Sequence, residues 1–223
     1  MYWLSNRLEF PPVEEADPWG VLAVGGDLSP ERLLLAYRSG IFPWYDESQP
    51  IVWHSPDPRF VLYPDQLRVA RRMRSVLNQQ QFTVTYDTRF AEVIYHCQQT
   101  KRPGQSGTWI TEAVREAYTR LHHLGYAHSV EVWQQGALVG GVYGIALGSV
   151  FFGESMFTLV SNASKIGFIT LVRRLQQQQF TLIDCQVPTP HLANWGAQNV
   201  SRSDFLRQLS LGVEHGDRWN TPH

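Results

Sequence analysis

The sequence predicts a mixed α/β (α+β) fold in which a small, turn-rich N-terminal domain, residues 1–62, packs on a larger domain, residues 63–223. Three observations lead there. Proline and glycine crowd the first sixty residues so closely that only short elements fit between them. From Pro64 the texture changes to longer runs, with apolar residues recurring at helical or strand spacing. Three strand-like runs, joined by turns at Gln135-Gly136 and Leu147-Gly148, then lie between two helical ones.

The first helix is well marked. Ser29 stands at its N-cap, Pro30 takes the first helical position, Leu33, Leu34 and Tyr37 share a face, and Gly40 ends it. Short strands are expected over 51–53 and 60–62. Residues 65–77 read as a helix, with Leu67, Ala70, Met73 and Leu77 recurring at its period. Phe82, Val84 and Tyr86 alternate as a strand, after which Asp87 caps a helix carrying Phe90, Val93, Ile94 and Cys97. Thr111 caps another through Val114, Tyr118 and Leu121, stopped by Gly125. Strands over 129–133, 138–146 and 150–157 form an antiparallel meander. Asn162 caps a helix carrying Ile166, Ile169, Val172 and Leu175, residues 180–185 form a buried strand, and short helices over 191–195 and 204–209 follow. The order helix, three antiparallel strands, helix, strand, short helix suits a GNAT-like acyltransferase domain, whose splayed strands hold an acyl donor.

Composition narrows the function. Hydrophobic residues make up 43% and charged ones 17%, which excludes a disordered chain. The formal charge is −1, so a polyanion must be met by a local patch. Cys97 and Cys185 sit in apolar stretches and are expected to be reduced thiols. The first ten residues carry Arg7 and Glu9 and lack the apolar core of a signal peptide. No apolar run reaches the roughly eighteen residues of a membrane span. A soluble, cytoplasmic monomer is the expectation. Eight tryptophans are many for this length, and several are expected to face a ligand or the inter-domain seam, the rest being core.

A CoA-dependent enzyme of this order would bind pyrophosphate on a glycine-rich loop at a helix N-terminus. The turn at Ser161-Asn162-Ala163-Ser164-Lys165 lacks that glycine spacing, so the acyl group is expected on another carrier. Within Leu182-Ile183-Asp184-Cys185-Gln186-Val187, Asp184 and Gln186 alternate onto one face at the end of an apolar strand, where α/β folds place reactive groups. The alternative is a turn cap and a backbone-bound glutamine. Glu154 interrupts another apolar strand. Buried carboxylates are costly unless paired, and two on neighbouring strands suggest a cationic ligand.

Eight runs in register resemble the leucyl/phenylalanyl-tRNA–protein transferases: GVLAVGGDLSPERLLLAY from Gly20, GIFPW from Gly40, SPDPR from Ser55, GTWIT from Gly107, HSVEVW from His128, GGVYG from Gly140, GESMFTLVSNASK from Gly153 and LIDCQV from Leu182. The resemblance spans nearly the whole chain. It implies transfer of Leu or Phe, less well Met, from aminoacyl-tRNA to proteins with N-terminal Arg or Lys, creating a destabilising N-terminus for the N-degron pathway. It implies no metal and no organic cofactor. Its catalytic pair falls on Asp184 and Gln186, its acidic strand residue on Glu154, and its tryptophans on Trp44 and Trp109. Val142, Phe151 and Ile183 could line the donor pocket, with core packing as their competing role. One departure is His54, where the family usually has a second Trp beside Trp53. Another is Val142, where some members carry a longer apolar residue.

The chemistry fits such a reading. An aminoacyl ester is already activated, so the enzyme has mainly to bring an amine to the carbonyl and manage a proton. Gln186 can accept from the attacking amine, with Asp184 orienting its amide and stabilising the positive charge on nitrogen. Glu154 suits the acceptor's cationic first side chain. Arg68, Arg71 and Arg72, with Arg74 beside them, form a helical stripe suited to tRNA phosphates, to which Lys101-Arg102 add. Two rivals remain: a GNAT-type enzyme with a CoA or small-molecule donor, and a non-catalytic RNA-binding module.

Overall fold

A computed structural model of the chain describes residues 2–100, 108–216 and 218–219. Near the N-terminus, β1 (Tyr2–Leu4), β2 (Val21–Gly25), β3 (Phe42–Pro43) and β4 (Val52–His54) form one sheet in the order β1-β2-β4-β3. Between β2 and β3, α1 (Pro30–Arg38) begins as its cap residues dictate, the Ser29 hydroxyl accepting from the Arg32 N–H at 3.3 Å. Leu33, Ala36 and Tyr37 are its buried face. Trp53 is fully buried, with Phe10 edge-on at 4.9 Å and its indole N–H on the Gly25 carbonyl.

The larger sheet has seven strands: β5 (Arg59–Leu62), β6 (Thr83–Tyr86), β7 (Ala127–Gln134), β8 (Ala137–Leu147), β9 (Val150–Thr158), β10 (Leu182–Gln186) and β11 (Gln198–Val200). Their order is β11-β5-β10-β9-β8-β7-β6, antiparallel throughout except for the parallel pair β9 and β10. The expected meander is β7-β8-β9. Gln135 and Gly136, both at positive φ, make its first turn, as a two-residue hairpin of this twist requires. A division after Leu62 would separate β5 from the sheet it belongs to, because β5 hydrogen-bonds on both edges to β10 and β11.

Adjacent residues of each strand enter opposite cores, as the two-residue period demands. Tyr143, Phe152 and Leu182 join Val93, Val114 and Tyr118 on the side covered by α3 (Phe90–Gln99), α4 (Glu112–His123), α1 and α7 (Arg202–Val213). Val142, Phe151 and Ile183 join Phe168, Leu171 and Leu175 on the side covered by α5 (Ala163–Gln177). Cys97 and Cys185 are buried, one in each core. No helix among the described residues is long and apolar enough to cross a membrane.

Three local expectations are corrected. Residues 65–77 are not one helix: a 3-10 turn (Pro64–Gln66) is followed by extended backbone, and α2 (Arg71–Asn78) starts only after it. Leu67 and Ala70 take ψ of 121° and 147°, and the Arg68 N–H donates to the Trp195 carbonyl at 2.9 Å, so tertiary docking overrides the helical pattern. Asp87 does not cap α3. It lies at positive φ and accepts from the Ser129 N–H, while Glu131, reaching across from β7, accepts the backbone N–H groups of Thr88 and Arg89. Asn162 occupies the N-cap of α5 but at φ 71°, and its side chain bonds Lys165 rather than the helix.

Candidate active site

The parallel ladder between β9 and β10 runs only as far as Phe152 and Asp184. Beyond it β10 bulges, Gln186 turning into the left-handed region at φ 63°. The strands part, and a cavity of about 790 Å³ opens there. Val142, Phe151 and Ile183 line it together with Met156, Phe168 and Leu171. Phe42, Pro43 and Trp44 reach it from the N-terminal segment, Trp109 from the residues just before the Thr111 cap of α4, and Thr189, His191 and Leu192 from α6 (Pro190–Asn194) and its cap. Glu154 and Gln186 are polar groups in a wall that is otherwise largely apolar.

Glu154 is held from several sides. The Tyr37 hydroxyl donates to its Oε1 at 2.7 Å, the Gln186 amide nitrogen donates to the same oxygen at 3.1 Å, and the hydroxyls of Tyr37 and Tyr118 are in direct contact. Burial pushes the Glu154 carboxyl up to about 8, and the nearby Asp184 charge adds to it, against the pull of the tyrosine hydrogen bonds and of Arg59. The site therefore rests with a neutral acid at pH 7. Burial raises both phenols, so they remain donors.

Asp184 is placed differently from expectation. It is fully buried, off the cavity wall, and gripped by the Arg59 fork: Nε to Oδ1 at 2.9 Å and Nη2 to Oδ2 at 2.6 Å. Arg59 is itself fixed by the Gly40 carbonyl and by the rings of Phe42 and Phe205, each under 5 Å from its guanidinium. The expectation that Asp184 orients the Gln186 amide is corrected: Asp184 takes the Gln186 backbone N–H at 2.9 Å, and Glu154 takes the amide. The two carboxylates likewise do not await one cation, since Asp184 already has Arg59. Glu154 has none.

Trp44 is 39% exposed at the cavity and Trp109 meets Tyr118 edge-on. His54 lies near-parallel to Phe42 and tilted against Trp44, its ring centroid 5.9 and 5.6 Å from theirs, so an aromatic ring stands where the second Trp is expected. Burial lowers it to about 4, leaving a neutral ring at ordinary pH. The four arginines are all exposed, but Arg68 precedes α2 and does not share a helical stripe with Arg71 and Arg72. Arg74 and Arg173 flank a shallow depression above Gln176. Lys101 and Arg102 lie outside the described residues.

Tyr37, Tyr118 and Arg59 were absent from the expected site. A buried tyrosine needs a partner for its hydroxyl, and that need is the only signal the sequence carries for the first two.

The chain matches the family described as leucyl/phenylalanyl-tRNA protein transferase over residues 61–210, and that family's N-terminal domain over residues 26–57. Proteins named leucyl/phenylalanyl-tRNA–protein transferase are 57% identical in Myxococcus xanthus (strain DK1622), over 98% of this chain and 94% of that one. The one in Stutzerimonas stutzeri (strain A1501) is 54% identical over 95% of each chain. In Azotobacter vinelandii (strain DJ / ATCC BAA-1303) the figure is 58%, over 92% of this chain and 91% of that one. Among solved structures, a GCN5-related N-acetyltransferase from Kribbella flavida aligns remotely, with TM-score 0.35 and 11% identity over 77% of this chain and 61% of that one.

Proposed function

The chain belongs to the leucyl/phenylalanyl-tRNA–protein transferase family, and we infer that the cavity where β9 and β10 part is where it moves leucine or phenylalanine from aminoacyl-tRNA to a protein. The observation that carries this reading is the Glu154–Gln186 contact set in an apolar cavity: one wall for the donor side chain, one polar pair for the incoming amine. The new N-terminal Leu or Phe then marks the product for the N-degron pathway, a cytoplasmic fate.

The acceptor's α-amine attacks the ester carbonyl, the bond to the tRNA ribose oxygen breaks, and the proton lost by nitrogen ends on that oxygen. Donating its amide N–H to Glu154 leaves the Gln186 carbonyl oxygen to accept from the attacking amine. Asp184 acts at one remove. Braced by Arg59, it holds the Gln186 backbone in the left-handed turn that aims the side chain at Glu154. Val142, Phe151 and Ile183 receive the Leu or Phe side chain, and Trp44 and Trp109 offer ring faces to the terminal base of the tRNA. Arg68, Arg71, Arg72 and Arg74 meet its phosphates.

Glu154 selects acceptors that begin with Arg or Lys. A cation entering the cavity draws the proton off the carboxyl and pairs with the carboxylate, whereas an uncharged side chain leaves the acid neutral. Transfer from radiolabelled Leu-tRNA to peptides beginning with Arg, Lys or Ala tests this. Glu154→Gln should cut the preference for Arg over Ala by roughly tenfold or more, the size of a charge-assisted hydrogen bond. An undiminished preference in that variant moves acceptor recognition elsewhere.

A further inference from the structure

Phe151 lines the cavity yet is only 1% exposed, so the neighbours packed around it determine where its ring stands. On β8, Gly144 has no side chain: a Cβ there would come within 2.6 Å of the Phe151 ring carbons Cε1 and Cζ, so the ring occupies the space a side chain would take. The other neighbour comes from beyond α7. Trp219, 1% exposed, lies near-parallel to Phe151, with centroids 5.8 Å apart and planes at 21°.

Trp219 is anchored at both ends. Its indole N–H donates to Asp87 Oδ2 at 2.6 Å, and Asp87 is held in turn by the Ser129 N–H and by His128, whose ring lies near-parallel to the indole at 4.3 Å. Its carbonyl accepts from Arg174 on α5 at 3.2 Å and from Gln178 at the C-cap of that helix at 2.7 Å, and the Arg174 guanidinium sits 5.0 Å from the ring. An indole fixed through side chain and backbone to β7, α5 and the turn after β6 cannot retreat when Phe151 is pressed from the cavity side.

We infer that Trp219 is a specificity-setting positioning residue, the backstop that fixes Phe151 and so the depth of the pocket for the transferred side chain. The inference rests on the assignment of Phe151 to that pocket. A rigid backstop makes Leu and Phe compete for a set depth, and without it Phe151 can withdraw and admit the longer aromatic side chain more readily. Trp219 touches neither substrate. It acts through Phe151.

The test is competition between Leu-tRNA and Phe-tRNA in one reaction, read as the ratio of the two products, with the thermal midpoint measured on the same preparations. Trp219→Ala should shift the ratio toward Phe by roughly tenfold, the discrimination a change of about one methylene in pocket size brings. Trp219→Phe should keep most of the original ratio, and Trp219→Leu carries the expectation of the Ala variant should that one fail to fold. Val114→Ala, a core change on the other side of the sheet, should lower the midpoint and leave the ratio alone. A wild-type ratio in Trp219→Ala or Trp219→Leu, or an equal shift in Val114→Ala, overturns the inference. Phe151→Leu separates the two levels: if it moves the ratio while the Trp219 variants do not, only the backstop fails, and if it does not move the ratio, the pocket assignment fails with it.

Discussion

Glu154 carries the clearest consequence at the level of a single residue. Its carboxyl titrates near 8 in the folded chain against 4.5 as a free group, because burial penalises the charged form. Between those values the folded protein holds a proton the unfolded chain has lost, so this group's contribution to stability falls as pH rises across that window, by up to roughly 5 kcal/mol. Glu154→Gln should therefore match the wild type in thermal midpoint near pH 4 and exceed it increasingly up to pH 9. A constant difference between the two across the range would mean that burial does not hold the acid neutral. At Asp184 the consequence is one of charge pairing. Its charge is matched by Arg59, and Arg59→Met would strand a fully buried carboxylate, at a cost of about 3–5 kcal/mol in chemical denaturation. Gln186→Ala removes the group proposed to accept from the attacking amine and no buried charge, so single-turnover transfer should drop about a hundredfold with little change in midpoint. If the midpoint falls in proportion to the rate, Gln186 serves packing instead.

At the level of elements, α2 stands out for carrying arginines where a helix least favours them. Arg71, Arg72 and Arg74 lie in its first turn, at the positive end of the dipole, with no acidic residue there and no side-chain cap. Cations placed against the local field are what a polyanion partner would reward. Replacing Arg71 and Arg72 with Ala should weaken all tRNAs alike and flatten the salt dependence by roughly one to two units of slope, while adding a few tenths of a kcal/mol to stability. Unchanged tRNA affinity and slope would return these residues to a solvated helix face. The same element marks where sequence reading stops. Ser29 and Thr111 cap their helices as read, because a cap is a contact over three residues. The break before α2 depends instead on the backbone bond from Arg68 to Trp195, which no local pattern encodes. Asp184, Gln186 and Glu154 could be singled out as polar residues in apolar strands. Which of them would be neutralised internally could not, since the Arg59–Asp184 pair spans 125 positions and the Tyr37–Glu154 bond 117.

Across the whole molecule, the N-terminal segment does more than shelter the larger sheet. It supplies Phe42 and Trp44 to the cavity, and α1 supplies the Tyr37 hydroxyl to Glu154. That hydrogen bond pulls the carboxyl down, so Tyr37→Phe should raise it, moving the pH at which Arg-starting acceptors bind well to a higher value. A pH profile identical to the wild type would detach the N-terminal segment from the chemistry. Among the described residues Glu154 is the only carboxyl lining the cavity, and with its proton on it offers water no carboxylate base. Under the proposed function, that carboxylate would form only once a cationic acceptor enters, so Glu154 would not promote hydrolysis of a donor bound alone. Deacylation of enzyme-bound Leu-tRNA, measured without acceptor, should then match that of Glu154→Gln at pH 7 and exceed it only as pH passes about 8, the proton on Glu154 serving as a guard against wasting charged tRNA; equal rates in the two proteins at every pH would remove that role.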